Sequence, residues 1–423
     1  MGIIVQKFGG TSVADTQKMI NVAKNIIREK NSGNKVVVVV SAMGHSTDAL
    51  IKLAKEISST PSAREMDMLL STGEQVSIAL LSMAVQSLGE KAISMNASQI
   101  GIITEKIHSK ARILDIKTDK LVQHLNNDEI VIVAGFQGIT PDGEITTLGR
   151  GGSDTSAVAI AAALNAERCD IYTDVEGVYT TDPRIVPNAA RVDKISYDEM
   201  LELARLGANV LHPRAVETAK QSNVPLRVRS TFKTENLGTL IIGVDDMELC
   251  KPVTGVAADL SQYRLVLCDV PDKPGNAAKI FKMLAENAIS VDMIIQSYAR
   301  HATNTNDIAF TIDKTDLEKT LNILETVKKE MGAGNVFVDK DIAKVSIVGA
   351  GMIDRPGVAA DMFNALASNN INLKMISTSE IKISCLVERA NANLAIKALC
   401  DVFDLTTDEI AEVKGDLPDT DEL

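Results

Sequence analysis

A chain of 423 residues is too long for one hydrophobic core, since single cores stop growing near about 250–300 residues, so two or three domains are expected. Hydrophobic residues make up 45% and charged residues 24%, the balance of a soluble globular protein. With 44 Lys and Arg against 56 Asp and Glu the net charge is −12, and Trp is absent. No basic face and no stacking platform is evident, which argues against a nucleic-acid binder while leaving room for a local anion pocket. The five cysteines, Cys169, Cys250, Cys268, Cys385 and Cys400, are scattered with no C-x-x-C, so neither a disulfide framework nor a zinc site is expected. Residues 1–11 hold no charged segment before an apolar run, Gln6 stands where a myristoylation signal needs Ser or Thr, and the apolar run 36–40 is too short to span a bilayer. A cytoplasmic protein without membrane association is expected.

Up to about residue 240, short β-rich runs alternate with helical stretches. Residues 3–8 read as a strand and 15–30 as a helix. The Val-rich run 35–41 suits a buried parallel strand. Residues 64–88 have helical apolar spacing with Gly73 as a weak point. A short buried strand is expected at 129–134, and an Ala-rich helix at 153–165 with Ser153 placed to cap it. A strand at 169–173, helices at 197–206 and 213–222, and a strand at 225–228 complete the pattern. It argues for an α/β domain whose mostly parallel sheet is sandwiched by helices.

The remainder holds an internal repeat. Residues 272–294 can be laid on 354–376 at an offset of 82 without a gap, and 12 of the 23 positions are identical. Chance gives about one, so the segment is read as a duplicated domain. Each copy reads strand, D-x-P-G turn, amphipathic helix, strand. The free N–H groups of the first helical turn can hold a small ligand's carboxylate, although a single D-x-P-G is equally a plain strand-to-helix turn. Residues 416–423 are acidic and read as a solvated tail.

Three segments carry candidate chemistry. Lys7-Phe-Gly-Gly-Thr-Ser12 ends the first strand with two glycines that allow backbone to approach a phosphate. Lys7 lies at the strand's carboxyl end, where open α/β sheets bind ligands. Its ammonium can follow charge moving across a transferring phosphoryl group. The plain alternative is a tight turn with an exposed lysine. Thr146-Thr-Leu-Gly-Arg-Gly-Gly-Ser-Asp-Thr-Ser156 is a second glycine loop feeding a helix, with Arg150 as a fork for a carboxylate or phosphate. Asp154 in that helix's first turn is also what the helix dipole favours. It occupies the position where the dinucleotide fingerprint needs glycine, and no G-K-[ST] P-loop exists. Tyr172-Thr-Asp-Val-Glu-Gly-Val-Tyr-Thr-Thr-Asp-Pro-Arg184 follows a strand. Asp174 there suits a ribose hydroxyl or a Mg²⁺-linked water, and Arg184 a phosphate, or else the segment is a surface hairpin. None of His45, His108, His124, His212 and His301 shows the spacing of a site, and His212-Pro213 reads as a helix start.

Taken together and in order, these segments and the paired D-[KR]-P-G copies resemble the aspartate kinases of the amino acid kinase superfamily, in their monofunctional form with two ACT domains. The resemblance implies an amino acid kinase domain at 1–245, a linker at 246–262, and ACT domains at 263–340 and 341–415. It implies transfer of the γ-phosphoryl of ATP, with Mg²⁺, to the β-carboxylate of L-aspartate. The acceptor is already an anion at pH 7, so positioning and charge neutralisation replace a general base.

By motif match, Lys7, Phe8, Gly9, Gly10 and Ser41 line the phosphates, and Thr173, Asp174, Tyr179 and Arg184 hold the nucleotide. Thr47, Glu74, Arg150, Gly151, Gly152 and Ser153 hold aspartate, with Arg150 on its α-carboxylate and Glu74 on its α-amino group. Asp154 orients Lys7 or the substrate amine. Gly73 beside Glu74 costs the helix about 1 kcal/mol relative to Ala, consistent with a close approach there. Lysine or threonine is implied as effector at Asp272, Lys273, Pro274, Gly275, Asn276, Ala277, Ser290, Val291, Asp292 and Gln296, with Val358, Ala359, Asn372 and Leu373 from the second copy.

The resemblance also implies a homo-oligomer or a complex with a regulatory ACT subunit, for which Met247 offers an internal start. Asn209 departs from the lysine that many relatives carry. The rival readings are a glutamate-directed amino acid kinase and an inactive amino-acid sensor.

Overall fold

The structure is a computed structural model that describes residues 2–207, 210–247, 251–300, 302–353 and 355–411. Asn209, Cys250, His301, Asp354 and the tail 416–423 lie outside the described residues. The chain divides into two compact units, 1–180 with 190–250, and 181–189 with 251–423.

In chain order the first unit holds β1 (Ile3–Phe8), α1 (Thr16–Asn31), β2 (Lys35–Val40), α2 (Ser46–Ile57), α3 (Ala63–Ser87), β3 (Ala92–Met95), α4 (Ala97–Ile100), β4 (Ile102–Thr104), β5 (Ile113–Ile116), α5 (Asp119–Asn126) and β6 (Ile130–Ala134). It continues with β7 (Gln137–Ile139), β8 (Ile145–Thr147), α6 (Gly152–Ala163), β9 (Arg168–Thr173), β10 (Lys194–Ser196), α7 (Tyr197–Arg205), α8 (Pro213–Ser222), β11 (Leu226–Ser230) and β12 (Thr239–Ile242). Among the described residues eight strands form one sheet in the order β10-β12-β11-β9-β1-β2-β6-β3. From β11 to β3 the strands are parallel, while β12 runs against β11. The Val run of β2 sits in the middle because β-branched side chains are buried on both faces of such a strand. Phe8, Val38, Val40 and Ile132 pack against Val22 and Ile26 of α1 and Leu81 and Val85 of α3.

Two local expectations need correction. Ser153 does not cap α6. Gly151 does, in the left-handed region at φ 65°, and Ser153 is buried in the first turn. A second sheet, β5-β4-β7-β8, was not foreseen, because strands of three or four residues are too short to show a period. By length and composition α3 is apolar enough to cross a membrane. Its buried face nevertheless carries Asp67, Ser71, Glu74 and Ser77, and it packs on the sheet as a core helix.

The second unit holds β13 (Gly255–Asp259), β14 (Gln262–Pro271), α9 (Asn276–Glu286), β15 (Val291–Gln296), β16 (Thr305–Asp313), α10 (Leu317–Met331), β17 (Val336–Asp339), β18 (Ala343–Val348), α11 (Val358–Ser368), β19 (Met375–Thr378), β20 (Lys382–Val387) and α12 (Ala392–Val402). Its two four-stranded sheets, β15-β16-β14-β17 and β13-β18-β20-β19, are antiparallel. The repeat is visible in the backbone. Helix α9 opens after Gly275 (φ 95°) and α11 after Gly357 (φ 108°), with the same length and an offset of 82.

The stretch 246–262 is more than the expected linker. It contributes β13, whose Gly255–Asp259 pairs with β18 of the second copy. Residues 181–189 leave the 1–245 domain for this unit, through a bridge of Ala189 to Thr406 and the Thr407 N–H donated to the Asn188 carbonyl at 2.9 Å.

Candidate active site

The carboxyl ends of β1, β2, β6 and β9 meet the start of α6. Lys7, the next-to-last residue of β1, holds its Nζ 2.6 Å from Asp154 Oδ1, with both side chains only about one-eighth exposed. The dipole-favoured Asp154 of α6 is therefore also the partner that fixes this ammonium. The turn after β1 is tight. A Cβ on Gly10 would lie 2.8 Å from the Ala42 carbonyl, and the Gly44 N–H donates to the Gly10 carbonyl at 3.0 Å. Ser41, straight after β2, donates its N–H to the Phe8 carbonyl at 3.2 Å. Phe8 itself is fully buried and stacks on Tyr172 at 4.5 Å, so its ring forms a floor beneath the turn.

Helix α6 reaches this place because its entry is made of glycines. A Cβ on Gly151 would fall 2.2 Å from the ring of His212, and one on Gly152 would fall 2.9 Å from Phe136. Gly135, after β6, lets Ser153 approach in the same way. Of the first N–H groups of α6, that of Gly152 donates to the Gly149 carbonyl at 3.0 Å, and those of Ser153 and Asp154 have no intrahelical partner and point to the same end as Lys7. Arg150 stands one residue before this entry. It is exposed, and among the described residues nothing holds its guanidinium.

Glu74 lies on the buried face of α3, 3% exposed. One carboxyl oxygen accepts from the Ala42 N–H at 3.1 Å, and the other has no partner. Burial pushes its pKa up to about 7, against the opposing pull of the backbone hydrogen bonds. Gly73 makes this possible, since a Cβ there would lie 2.8 Å from Ala42 Cβ. Ala42 thus touches both the Gly10 turn and Glu74. Thr47 is half-buried in the first turn of α2, which follows.

At the end of β9, Thr173 donates its hydroxyl to the exposed Asp174 at 3.0 Å, and its carbonyl accepts from the Thr231 N–H at 2.9 Å. Tyr179 is half-buried, and burial pushes its phenol up. Arg184 belongs to the 181–189 segment, where its guanidinium forks onto Asp182 at 2.6–3.1 Å. It is not among the residues that the first unit brings together.

Two charged residues went unnoticed in the sequence. Asp67 on α3 is fully buried and accepts from His108, Ser109 and Thr147. Arg214 on α8 donates to the carbonyls of Leu148 and Ala111. The available signal was polar residues at 67, 71, 74 and 77, spaced three and four apart as a ridge on one helix face.

The amino acid kinase family matches residues 2–230, and the ACT domain matches 269–327 and again 345–403. An aspartokinase of Bacillus sp. (strain MGA3) is 54% identical over 406 residues, which cover 96% of this chain and 98% of that one. The chain belongs to the aspartokinases. The crystal structure of E. coli aspartokinase III in complex with aspartate and ADP (R-state) is similar, with a TM-score of 0.78 at 28% identity over 95% of this chain and all of that one. That enzyme's complex with lysine and aspartate (T-state) gives 0.75 at 29% identity over 95% and 99%.

The two ACT domains carry the D-x-P-G helix starts. Asp272 is exposed and accepts from Asn306 Nδ2 at 3.1 Å. Lys273, Pro274 and Gly275 are exposed, while Asn276 turns its amide back to the Pro271 carbonyl at 2.7 Å and Ala277 packs against the domain core. Ser290, Val291, Asp292 and Gln296 lie before and along β15, and Val358 and Ala359 open α11. Asn372 and Leu373 lie between α11 and β19. Asp292 is already taken. Burial alone would raise its carboxyl, but the Lys344 ammonium beside it, with Gln262, holds it below the usual range.

Gly73 invites a test in which two effects oppose. Ala is the better helix former by about 1 kcal/mol, but a methyl pressed into Ala42 costs about 1–3 kcal/mol. Gly73→Ala is expected to lower the urea midpoint; an unchanged or raised midpoint would show that Ala42 yields freely.

Proposed function

We propose that this aspartokinase transfers the γ-phosphoryl group of ATP to the β-carboxylate of L-aspartate in its first unit, and that its ACT domains regulate that transfer. The observation that carries the reading is the Lys7–Asp154 ion pair at the junction of β1 and α6, between two glycine-built turns. An ammonium so held cannot swing away, and it stands where charge develops on a transferring phosphoryl group. The turn at Gly9 and Gly10, with Ser41, cradles phosphates, and Thr173, Asp174 and Tyr179 face the rest of the nucleotide. Arg184 is left out of this set, since it groups with the second unit, where its guanidinium pairs with Asp182. Mg²⁺ comes with the nucleotide. Among the described residues no group of three His, Cys, Asp or Glu forms a cage, a donor set that suits an ion carried on phosphates and waters.

The amino acid acceptor is read by its two backbone charges. Arg150 grips the α-carboxylate, and the Ser153 N–H supports it, the Gly152 N–H being already donated to the Gly149 carbonyl at 3.0 Å. The bare oxygen of Glu74 takes the α-ammonium, with Thr47 beside it. No base is needed, because the attacking carboxylate is ionised. An ADP-release assay with aspartate and with glutamate tests the reading. Turnover with aspartate alone is expected, and equal turnover with both would favour a broader amino acid kinase. Lys7→Ala is expected to lower kcat about 100-fold or more with the fold intact. A near-normal kcat with only a raised KM for ATP would remove Lys7 from the transition state.

Glu74 sets a pH dependence. Its carboxyl titrates near 7 in the free enzyme, and only the anion can hold an ammonium. Aspartate kcat/KM is therefore expected to rise about tenfold per unit below pH 7 and to level off above it. Glu74→Gln should abolish that limb as well as weaken aspartate use. A wild-type profile that is flat from pH 6 to 8 would contradict the assignment.

For regulation, lysine or threonine suits the start of α9. The helix N–H groups take the effector's carboxylate, and Asp272, exposed and lightly held, takes its ammonium. An ammonium aimed at Asp292 would have to displace Lys344. β15 and β19 are sheet edges with Ile294 and Ile376 exposed, a surface for a second copy or a regulatory ACT chain. Asp272→Ala is expected to relieve inhibition by lysine, threonine or both, with uninhibited kcat unchanged. Superimposable inhibition curves for variant and wild type would leave Asp272 as a turn residue only.

A further inference from the structure

This inference rests on the reading that Arg150 grips the substrate's α-carboxylate. Arg150 carries its guanidinium on an exposed, unheld side chain, so the accuracy of a bidentate grip must come from the backbone beneath it. That backbone is tied from two sides. On the α3 side, the fully buried Asp67 accepts the Thr147 hydroxyl at 2.7 Å, three residues before Arg150, and the Ser109 N–H at 3.0–3.1 Å. It also meets His108 Nδ1 at 2.9 Å, which donates in the tautomer that an acceptor-only carboxylate selects. The Ser109 carbonyl in turn fits against Gly149, where a Cβ would lie 3.0 Å from it and φ is 80°.

On the α8 side, Arg214 Nη1 donates to the Leu148 carbonyl at 2.7 Å and Nη2 to the Ala111 carbonyl at 3.2 Å. The Ala111 N–H donates to the Thr147 carbonyl at 3.0 Å, which joins the two halves. The residues before Arg150 are thus fixed by two buried or half-buried charges, and the one after it, Gly151, rests on His212.

We propose that Asp67 and Arg214 are positioning residues for phosphoryl transfer, a two-sided clamp that sets the Arg150 loop and with it the carboxylate end of the amino acid subsite. A charge-free loop contact would hold the chain at lower desolvation cost, so two ionic groups here demand a reason beyond stability. Seven residues separate Asp67 from Glu74, two turns of one helix, so both point to the same buried face. One rigid element then registers both charges of the amino acid, the ammonium through Glu74 and the carboxylate through Asp67 and Arg150. A shift of about 1 Å in such a register is enough to cost about 100-fold in rate.

The test uses the full chain, with aspartate and ATP varied separately, in D67N, T147V, R214K, R150K and the double variant R150K/R214K. D67N and R214K are expected to raise the aspartate KM about tenfold or more, with the ATP KM within about twofold of wild type. T147V, which removes one hydroxyl, should shift the aspartate KM in the same direction by a smaller factor. Because the clamp acts through Arg150, adding R214K to R150K should cost little more than R150K alone, whereas a purely structural role would multiply the two losses. A folded R214K or T147V with an unchanged aspartate KM overturns the clamp, and so does a multiplicative double variant. If D67N fails to fold, T147V and R214K decide. An R150K enzyme with a normal aspartate KM overturns the Arg150 reading and the clamp together. An R150K defect alone, with R214K and T147V normal, overturns only the clamp.

Discussion

A carboxylate buried with one oxygen bonded and the other bare is costly to keep ionised, and the first unit is arranged around that cost at Glu74. The group cannot be lined by water without opening the core, and among the described residues no fixed cation neutralises it. The solution is local. Ala42 offers a single N–H, Gly73 gives the room for Ala42 to come that near, and α3 supplies a rigid mount. Because Ala42 follows β2 and its carbonyl crowds the Gly10 turn, the same few atoms tie Glu74 to that turn. The Lys7–Asp154 pair is the complementary case, two opposite charges held 2.6 Å apart.

Much of this was legible in the sequence because it is written in residue types that have few other uses. Glycines at 9, 10, 151 and 152 mark close backbone approaches, and the structure finds an atom waiting where a Cβ would stand at Gly10, Gly151 and Gly152. Helices α1, α3, α6 and α7 were read to within two residues while α2 and α10 went unread, and α8 was placed to the residue, where Pro213 starts it and Asn223 in the left-handed region stops it. Asp67 and Arg214 stayed hidden for a physical reason. Their partners are a histidine ring, a threonine hydroxyl and backbone groups from 41 to 103 residues away, and no spacing rule reaches that far. The cap of α6 was misjudged because Ser was preferred on chemistry, while the approach of His212 allows only glycine at the true cap. The Arg184 assignment met a local competitor two residues away, Asp182, that motif reading does not weigh.

The duplicated halves of the second unit share a backbone but not their electrostatics. The first copy presents Asp272 to solvent and commits Asp292 to Lys344 of the second copy, with Asp259 3.5 Å from the same ammonium. One nearly buried lysine therefore joins β13, β15 and β18, and truncating it would strand Asp259, while the exposed Asp292 keeps its water.

The placement of β13 has a consequence for how the molecule is made. Gly255 pairs with Val348, so the opening strand of one sheet and its neighbour are separated by the whole of the first ACT copy. As the chain leaves the ribosome, β13 emerges early and must wait, its hydrogen-bonding edge unmet, while the first copy folds inside the gap. Closing a loop of that length is entropically modest but slow, since distant contacts are the last to form. The first copy, already folded, shortens the effective loop and draws β13 toward β18. Completion of the second copy's sheet thus follows synthesis of the whole first copy, and until then β13 keeps an unpaired edge.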